Sequence, residues 1–246
     1  MNNQIKSRLT VLFLTISVCV LAQNNIPQPG SFSWYADIVS KVYNIDCKLP
    51  DNFTDLKSKH VEIFKDENNW KMSSPYFPVI QSNDKECILL YNLLPLYGFW
   101  TKNLVIGEIS GMLGVDSCVP SQRDSIQIEN YVTITTGKSV HDSFNADSII
   151  TFEIPRNKAY MDKYKYKYCT SMMIVKNDRA TMILKWFFTE NGLKNKDKYI
   201  SMLNNSIKYK NGKWNYDKRQ NPSEDQKALS QILQVVTVRK ADLENK

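Results

Sequence analysis

The sequence predicts an α+β fold, a mainly antiparallel sheet with flanking helices. Short runs rich in β-branched and aromatic residues recur along the chain, bounded by Pro, Asn, Asp or Gly turn signals. Helical spacing of apolar residues is confined to a few segments, near residues 34–42, 197–203 and 222–240. No internal repeat or interdomain linker breaks the chain, so one domain over residues 34–246 is the economical reading.

The chain opens on a leader. Lys6 and Arg8 precede an uncharged run from Leu9 to Ala22 that ends in the small-residue pattern Val20-Leu21-Ala22. Basic, apolar, small is the order of a secretory signal, here residues 1–22, with cleavage expected between Ala22 and Gln23. The run is shorter than the ~20 residues a bilayer-crossing helix needs, so the mature chain is expected to have no transmembrane span. A rival reading makes Cys19 a lipid anchor. Lipoprotein signals place a small residue before that cysteine, whereas Val18 stands here. The expected location is therefore secreted or periplasmic in soluble form.

Residues 23–33 are polar and Pro/Gly-rich and read as a flexible lead-in. Ser33 then caps a helix whose Tyr35, Ile38, Val39 and Val42 share a face. Ile45, Cys47 and Leu49 alternate with polar residues in a strand stopped by Pro50-Asp51. Strands are expected over residues 60–64 and 86–94, with a loop containing Pro75 and Pro78 between them. Residues 104–113 suit either strand or helix, and Gly107 and Gly111 weaken the helix. Further strands are expected over 126–136 and 149–154. A hairpin follows: residues 164–175, the turn Asn177-Asp178, then residues 180–189. Glu190-Asn191-Gly192 reads as a turn, residues 197–203 as a helix with Tyr199 inward, and Ile207-Lys208-Tyr209 as a brief strand. Asn221-Pro222-Ser223-Glu224 looks like a helix start. The helix runs to about residue 240 with Leu229, Ile232, Leu233 and Val236 on its apolar stripe.

The formal net charge is +7, two units of which leave with the leader. That excess suits a protein that tolerates anionic surfaces, but specific nucleic-acid binding calls for a denser basic stripe. The mature chain carries Cys47, Cys87, Cys118 and Cys169. None of their spacings is a CxxC, so redox-enzyme and zinc-ribbon signatures are missing. An oxidising compartment favours pairing, expected as Cys47–Cys87 and Cys118–Cys169. The first link would close a loop of about 40 residues, for which chain entropy gives on the order of 4 kcal/mol. The alternative is four buried thiols.

Chemistry-bearing motifs are sparse. His141-Asp142-Ser143 holds triad residue types, but adjacent side chains cannot form the relay. His60 reads as a strand-end residue. Gly107-Glu108-Ile109-Ser110-Gly111 misses the glycine spacing of a nucleophile elbow. Neither a phosphate-cradling loop nor a metal-ligand spacing occurs, so no cofactor and no metal are expected. Asp142, Asp147 and Glu153 are ordinary candidates for paired-carboxylate work, with solvated surface acids as the plainer reading. Asn52-Phe53-Thr54 and Asn204-Asn205-Ser206 match the glycosylation sequon, which matters only in a eukaryotic source. Tyr164-Lys165-Tyr166-Lys167-Tyr168 stands out. As a strand it would put three tyrosines on one face and lysines on the other, a candidate binding surface for sugars, peptides, or an anionic glycan or lipid. The plainer reading packs the tyrosines inward and leaves the lysines to keep an edge soluble.

The segment NIDCKLPDNFTDL resembles the opening strand of the PsbP, DcrB and Mog1 group, and MMIVKNDRATMILKWFFTENGLKNKDKYISMLNNSIKY is similar to that group's closing hairpin and helix. FNADSIITFEIP, YKYCTSMMIV and the Ala22-Gln23 junction resemble secreted Bacteroidota proteins. The resemblance implies a PsbP/Mog1-like fold and a non-enzymatic accessory or binding role. The expected function is thus a secreted or periplasmic binding module, its partner a protein or an anionic glycan or lipid surface. The alternative is a carboxylate-dependent hydrolase of glycan or cell-wall material. A secreted factor acting through its C-terminal helix is the third reading.

Overall fold

The computed structural model describes residues 28–65, 70–94, 105–106, 109, 126–154, 165–212 and 236–239. The leader with Cys19, Ala22 and Gln23 lies outside them, as do Cys118, Ser110 and Tyr164.

Helix α1 (Phe32–Tyr43) begins the fold. Ser31, not Ser33, is its N-cap: its hydroxyl accepts from the Trp34 amide at 3.2 Å and donates to the Gln28 carbonyl at 2.6 Å. The lead-in therefore ends in a fixed turn, and Phe32 is already core. Asn44 closes the helix in the left-handed conformation that asparagine tolerates. Both ends are tied to other elements. The Phe32 amide donates to the Asp55 carboxylate at 2.7 Å, and Arg179 donates to the Asn44 carbonyl at 3.2 Å and the Gly212 carbonyl at 2.9 Å. These contacts satisfy groups that a helix end leaves orphaned.

The strands are β1 (Ile45–Cys47), β2 (Phe53–Asp55), β3 (His60–Lys65), β4 (Trp70–Tyr76), β5 (Val79–Ser82), β6 (Cys87–Leu94), β7 (Thr133–Thr136), β8 (Ser148–Ile154), β9 (Tyr168–Val175), β10 (Thr181–Phe188), β11 (Ile207–Tyr209) and β12 (Val236–Arg239). Between them lie a 3₁₀ turn (Ile128–Asn130) and the short helices α2 (Lys138–Phe144), α3 (Glu190–Lys194) and α4 (Lys196–Ser201). A seven-stranded sheet runs β2-β5-β6-β10-β9-β8-β7, every neighbouring pair antiparallel. The class is α+β with a mainly antiparallel sheet. β1 pairs with β11, and β4 is flanked by β3 and β12.

Both faces of the large sheet are buried at its centre, while the edge strand β7 is exposed throughout. On the first, Leu89, Tyr91, Leu184, Trp186 and Phe188 pack with α1 and with Ile45 and Tyr209 of the small β1–β11 sheet. On the second, Ile88, Leu90, Met173, Ile183 and Phe187 pack with Tyr76, Val105 and Tyr166. Every residue of β10 is consequently buried, which is why its sequence TMILKWFF is nearly continuous in apolar residues instead of alternating.

Several expectations are corrected. The segment with Pro75 and Pro78 is not a loop but carries β4 and β5, joined through a cis Phe77–Pro78 bond. Residues 126–136 hold a 3₁₀ turn before the short β7. Glu190-Asn191-Gly192 is not a turn but the start of α3, because the Thr189 hydroxyl accepts from the Gly192 amide at 3.0 Å and caps it. The expected helix over 222–240 fails at its end, since residues 236–239 are β12 on β4, in register from Val236↔Ser73 to Arg239↔Trp70. A strand partner there outweighs the local helical spacing; residues 221–235 lie outside the described residues.

The Cys47–Cys87 disulfide is not formed. Cys47 and Cys87 are buried thiols, and Cys169 is likewise a buried thiol, on the second face. Cys47 pairs across β1–β11 with Ile207, whereas Cys87 sits opposite Phe188, so each fills a small apolar slot on a different strand pair. Burial raises both thiols above their ordinary range, holding them protonated. Among the described residues, no helix is long and apolar enough to cross a membrane.

Candidate binding cleft

The turn from β5 to β6, Ser82-Asn83-Asp84-Lys85-Glu86, is densely hydrogen-bonded. Its sequence is one of hydroxyl, amide and carboxylate side chains that bond their own backbone. Buried Ser82 donates to Asp84 Oδ1 at 2.6 Å and accepts from the Cys87 amide at 2.9 Å. Asp84 Oδ1 also accepts from the Glu86 amide at 3.1 Å, and Lys85 takes a left-handed φ of 59°.

Two other parts of the fold grip this turn. From one side, the Thr189 hydroxyl donates to the Glu86 carboxylate, and the Thr189 amide bonds the Glu86 carbonyl at 3.0 Å. Gly192 packs so closely that a Cβ there would lie 2.2 Å from the Glu86 carbonyl oxygen; only glycine fits without a backbone shift. From the other side, Tyr166 donates its hydroxyl to the Lys85 carbonyl at 2.7 Å while accepting from Gln81 at 2.8 Å. Lys165 reaches the same carbonyl at 3.2 Å.

A cleft of about 270 Å³ opens over the turn, lined by Asn52, Ser82, Asn83, Asp84, Lys198, Tyr199 and Met202. Its floor is the ring of Tyr199 on α4, buried against Phe53 and Phe188 at centroid distances of 6.5 and 6.1 Å. The Tyr199 hydroxyl donates to Asp84 Oδ2 at 2.7 Å. Burial, with the Asp84 hydrogen bond second, raises the tyrosine and keeps it protonated. For Asp84, burial pulls upward, but Ser82, Tyr199, the Glu86 amide and nearby Lys198 outweigh it and hold the carboxyl below its ordinary range. Asn52 stands at a left-handed φ of 64°, and its carbonyl accepts from the Asn83 amide at 2.8 Å. Asn83 Oδ1 accepts from Thr54 at 2.8 Å, which fixes the side-chain amide and leaves its NH₂ as donor.

No family model, curated protein or solved structure matches this chain.

The tyrosine–lysine segment takes a different form from the expected strand. β9 starts only at Tyr168, and residues 165–167 lie in turn and irregular backbone. Tyr166 is fully buried in the second-face core while Tyr168 is exposed, so the two share no face. Lys165 and Lys167 are exposed, and Lys165 reaches the gripped turn. His141 and Asp142 are exposed on α2 with Nδ1 and Oδ1 3.7 Å apart. His60 is half-buried with its ring 6.4 Å from Phe187. The candidate acids are dispersed. Asp147 accepts from the Asn177 amide at 2.7 Å, and Glu153 is held by Lys196 at 2.6 Å and Thr170 at 2.7 Å. Asp147, just before β8, and Glu153 within it are six residues apart, roughly 20 Å of extended backbone at ~3.3 Å per residue. That exceeds the ~5–9.5 Å that paired glycosidase carboxylates span. Among the described residues, no three His, Cys, Asp or Glu side chains gather as a metal site.

Sequence reading missed Asn52, Asn83 and Asp84 as site residues. The Ser-Asn-Asp run is a turn signal, and only its meeting with α4 makes it a cleft.

Proposed function

We propose that this protein is an exported module that binds a partner without turning it over, and that the cleft over the β5–β6 turn is its recognition point. The observation that carries the reading is the state of Asp84. Three donors already point at its carboxylate, and its pKa is pushed down, so it remains an anionic acceptor near neutral pH and is unsuited to deliver a proton to a leaving group. A rigid acceptor ringed by amides serves orientation and binding. Exposed Lys165, Lys167 and Tyr168 extend the surface toward an anionic glycan or lipid. The basic-apolar-small leader supports export to the periplasm or exterior, and the resemblance to the PsbP, DcrB and Mog1 group supports an accessory role and that group's fold.

The test incubates the exported chain with purified cell-wall sacculi and follows both co-sedimentation and released reducing ends. Retention on the sacculi with no released ends is the expected result. Soluble ends that disappear in Asp84→Asn would overturn the reading in favour of a hydrolase.

A further inference from the structure

We propose that the cleft takes one neutral, polyhydroxylated ring, a single sugar residue of a glycan; this deepens the binding-module reading and rests on it. Size is the first argument. At about 270 Å³ the cleft falls just under the roughly 300–1,000 Å³ of drug-sized sites, which suits a ligand of one ring.

Charge is the second. Asp84 and Lys198 are both in the lining, so an anionic ligand would face the carboxylate and a cationic one the ammonium. A neutral ligand that both donates and accepts satisfies both. Hydroxyl groups do this, donating to Asp84 Oδ2 and accepting from Lys198 Nζ and the amide NH₂ groups.

Unused bonding capacity is the third. Asp84 Oδ1 already accepts two hydrogen bonds, but Oδ2 accepts one, from Tyr199. Among the described residues, the side-chain amide of Asn52, the NH₂ of Asn83 and Nζ of Lys198 have no hydrogen-bond partner within the protein. Asn83 and Asp84 are also held in place before any ligand arrives, and so is the backbone of Asn52. Thr54 orients Asn83, the Asn83 amide fixes Asn52, and Ser82 and Tyr199 hold Asp84. Preorganised polar groups on a rigid turn keep the cost of ordering low when they bind. Met202 adds an apolar wall for the C–H face of a ring.

The experiment titrates the exported chain with glucose, galactose, mannose and N-acetylglucosamine, with inorganic phosphate and acetate as anion probes, and reads backbone amide shifts. Saturable shifts centred on Asn83, Asp84, Lys198 and Met202 with at least one sugar, insensitive to added salt, are expected. Asn83→Ala should weaken that binding about tenfold, the loss of one good hydrogen bond. Asn52→Gly deletes the other amide while keeping the left-handed backbone, so a matching loss there excludes misfolding. Shifts caused by phosphate or acetate and not by sugars would overturn the ligand class. So would sugar shifts that map elsewhere, or no shift with any sugar. In each of these cases sacculus retention reports separately on the binding-module reading, and released reducing ends would overturn that reading without touching the ligand class.

Discussion

The two faces of β10 bury the same strand in different ways. Toward α1 it presents Met182, Leu184, Trp186 and Phe188, an apolar row in which Trp186 and Phe188 stack at 6.0 Å. Toward Tyr76 it presents Thr181, Ile183, Lys185 and Phe187, two of them polar and all buried. Lys185 lies in register between Leu90 and Ser171, with its Nζ 5.1 Å from the Tyr76 ring centroid. Ser171 is fully buried, and its hydroxyl has no hydrogen-bond partner among the described residues. The first face leaves the Tyr91 hydroxyl and the Trp186 indole N–H without a hydrogen-bond partner among the described residues, so both faces carry a polar cost, and what sets the second apart is its buried Lys185 and Thr181. The first face also supports the cleft, because Phe53 touches both Trp186 and Tyr199.

The largest effect should come from breaking the apolar row. Trp186→Ala is expected to cost about 3–5 kcal/mol and Ile183→Ala, on the second face, about 2–4 kcal/mol. Urea unfolding measures both, and a larger cost for Ile183→Ala than for Trp186→Ala would reverse the order of the faces. Trp186→Ala should in addition loosen the cleft floor, readable as broadened amide signals at Tyr199.

A neighbouring pair on β9 sharpens the comparison with opposite signs. Thr170 donates to Glu153 at 2.7 Å, so Thr170→Val should destabilise by about 1.5–3 kcal/mol, the range for hydrogen bonds to charged groups. Ser171→Ala removes an unsatisfied hydroxyl and should be neutral or stabilise by about 1 kcal/mol. If Ser171→Ala destabilised as much as Thr170→Val, the Ser171 hydroxyl would be satisfied in the fold and not left without a partner.

The smallest effect is the acid limb of Asp84. Its folded pKa lies below the unfolded value, so its contribution is complete above the ordinary carboxylate range and is lost as pH falls through the folded value. Asp84→Asn should flatten that part of the stability-versus-pH curve and leave the slope above it unchanged. Parallel curves for the two proteins, followed by urea midpoint from neutral pH down, would mean that the turn does not hold the carboxylate as described.

Much of the fold was legible along the chain. Ile38, Val39 and Val42 marked one face of α1, and Asn177-Asp178 between two apolar runs marked the β9–β10 hairpin, because helix period and turn chemistry are encoded within a few residues. The shift of its cap from Ser33 to Ser31 is a boundary effect of one hydroxyl meeting one amide. The tyrosine–lysine alternation misled because period 2 presupposes a strand, and Tyr166 instead turns inward to bond Lys85.

By itself, then, the sequence determined the α+β class, α1, the hairpin and the short strands around them. Tertiary structure alone decided that β6 pairs with β10 across the middle of the sheet, that Cys47 and Cys87 serve as core thiols, that residues 236–239 form a strand, and that Asn52, Asp84 and Tyr199 meet in one cleft. The reason is physical. Periodicity and turn residues report a segment's own backbone and exposed side, whereas strand partners and clefts depend on surfaces brought together from distant parts of the chain.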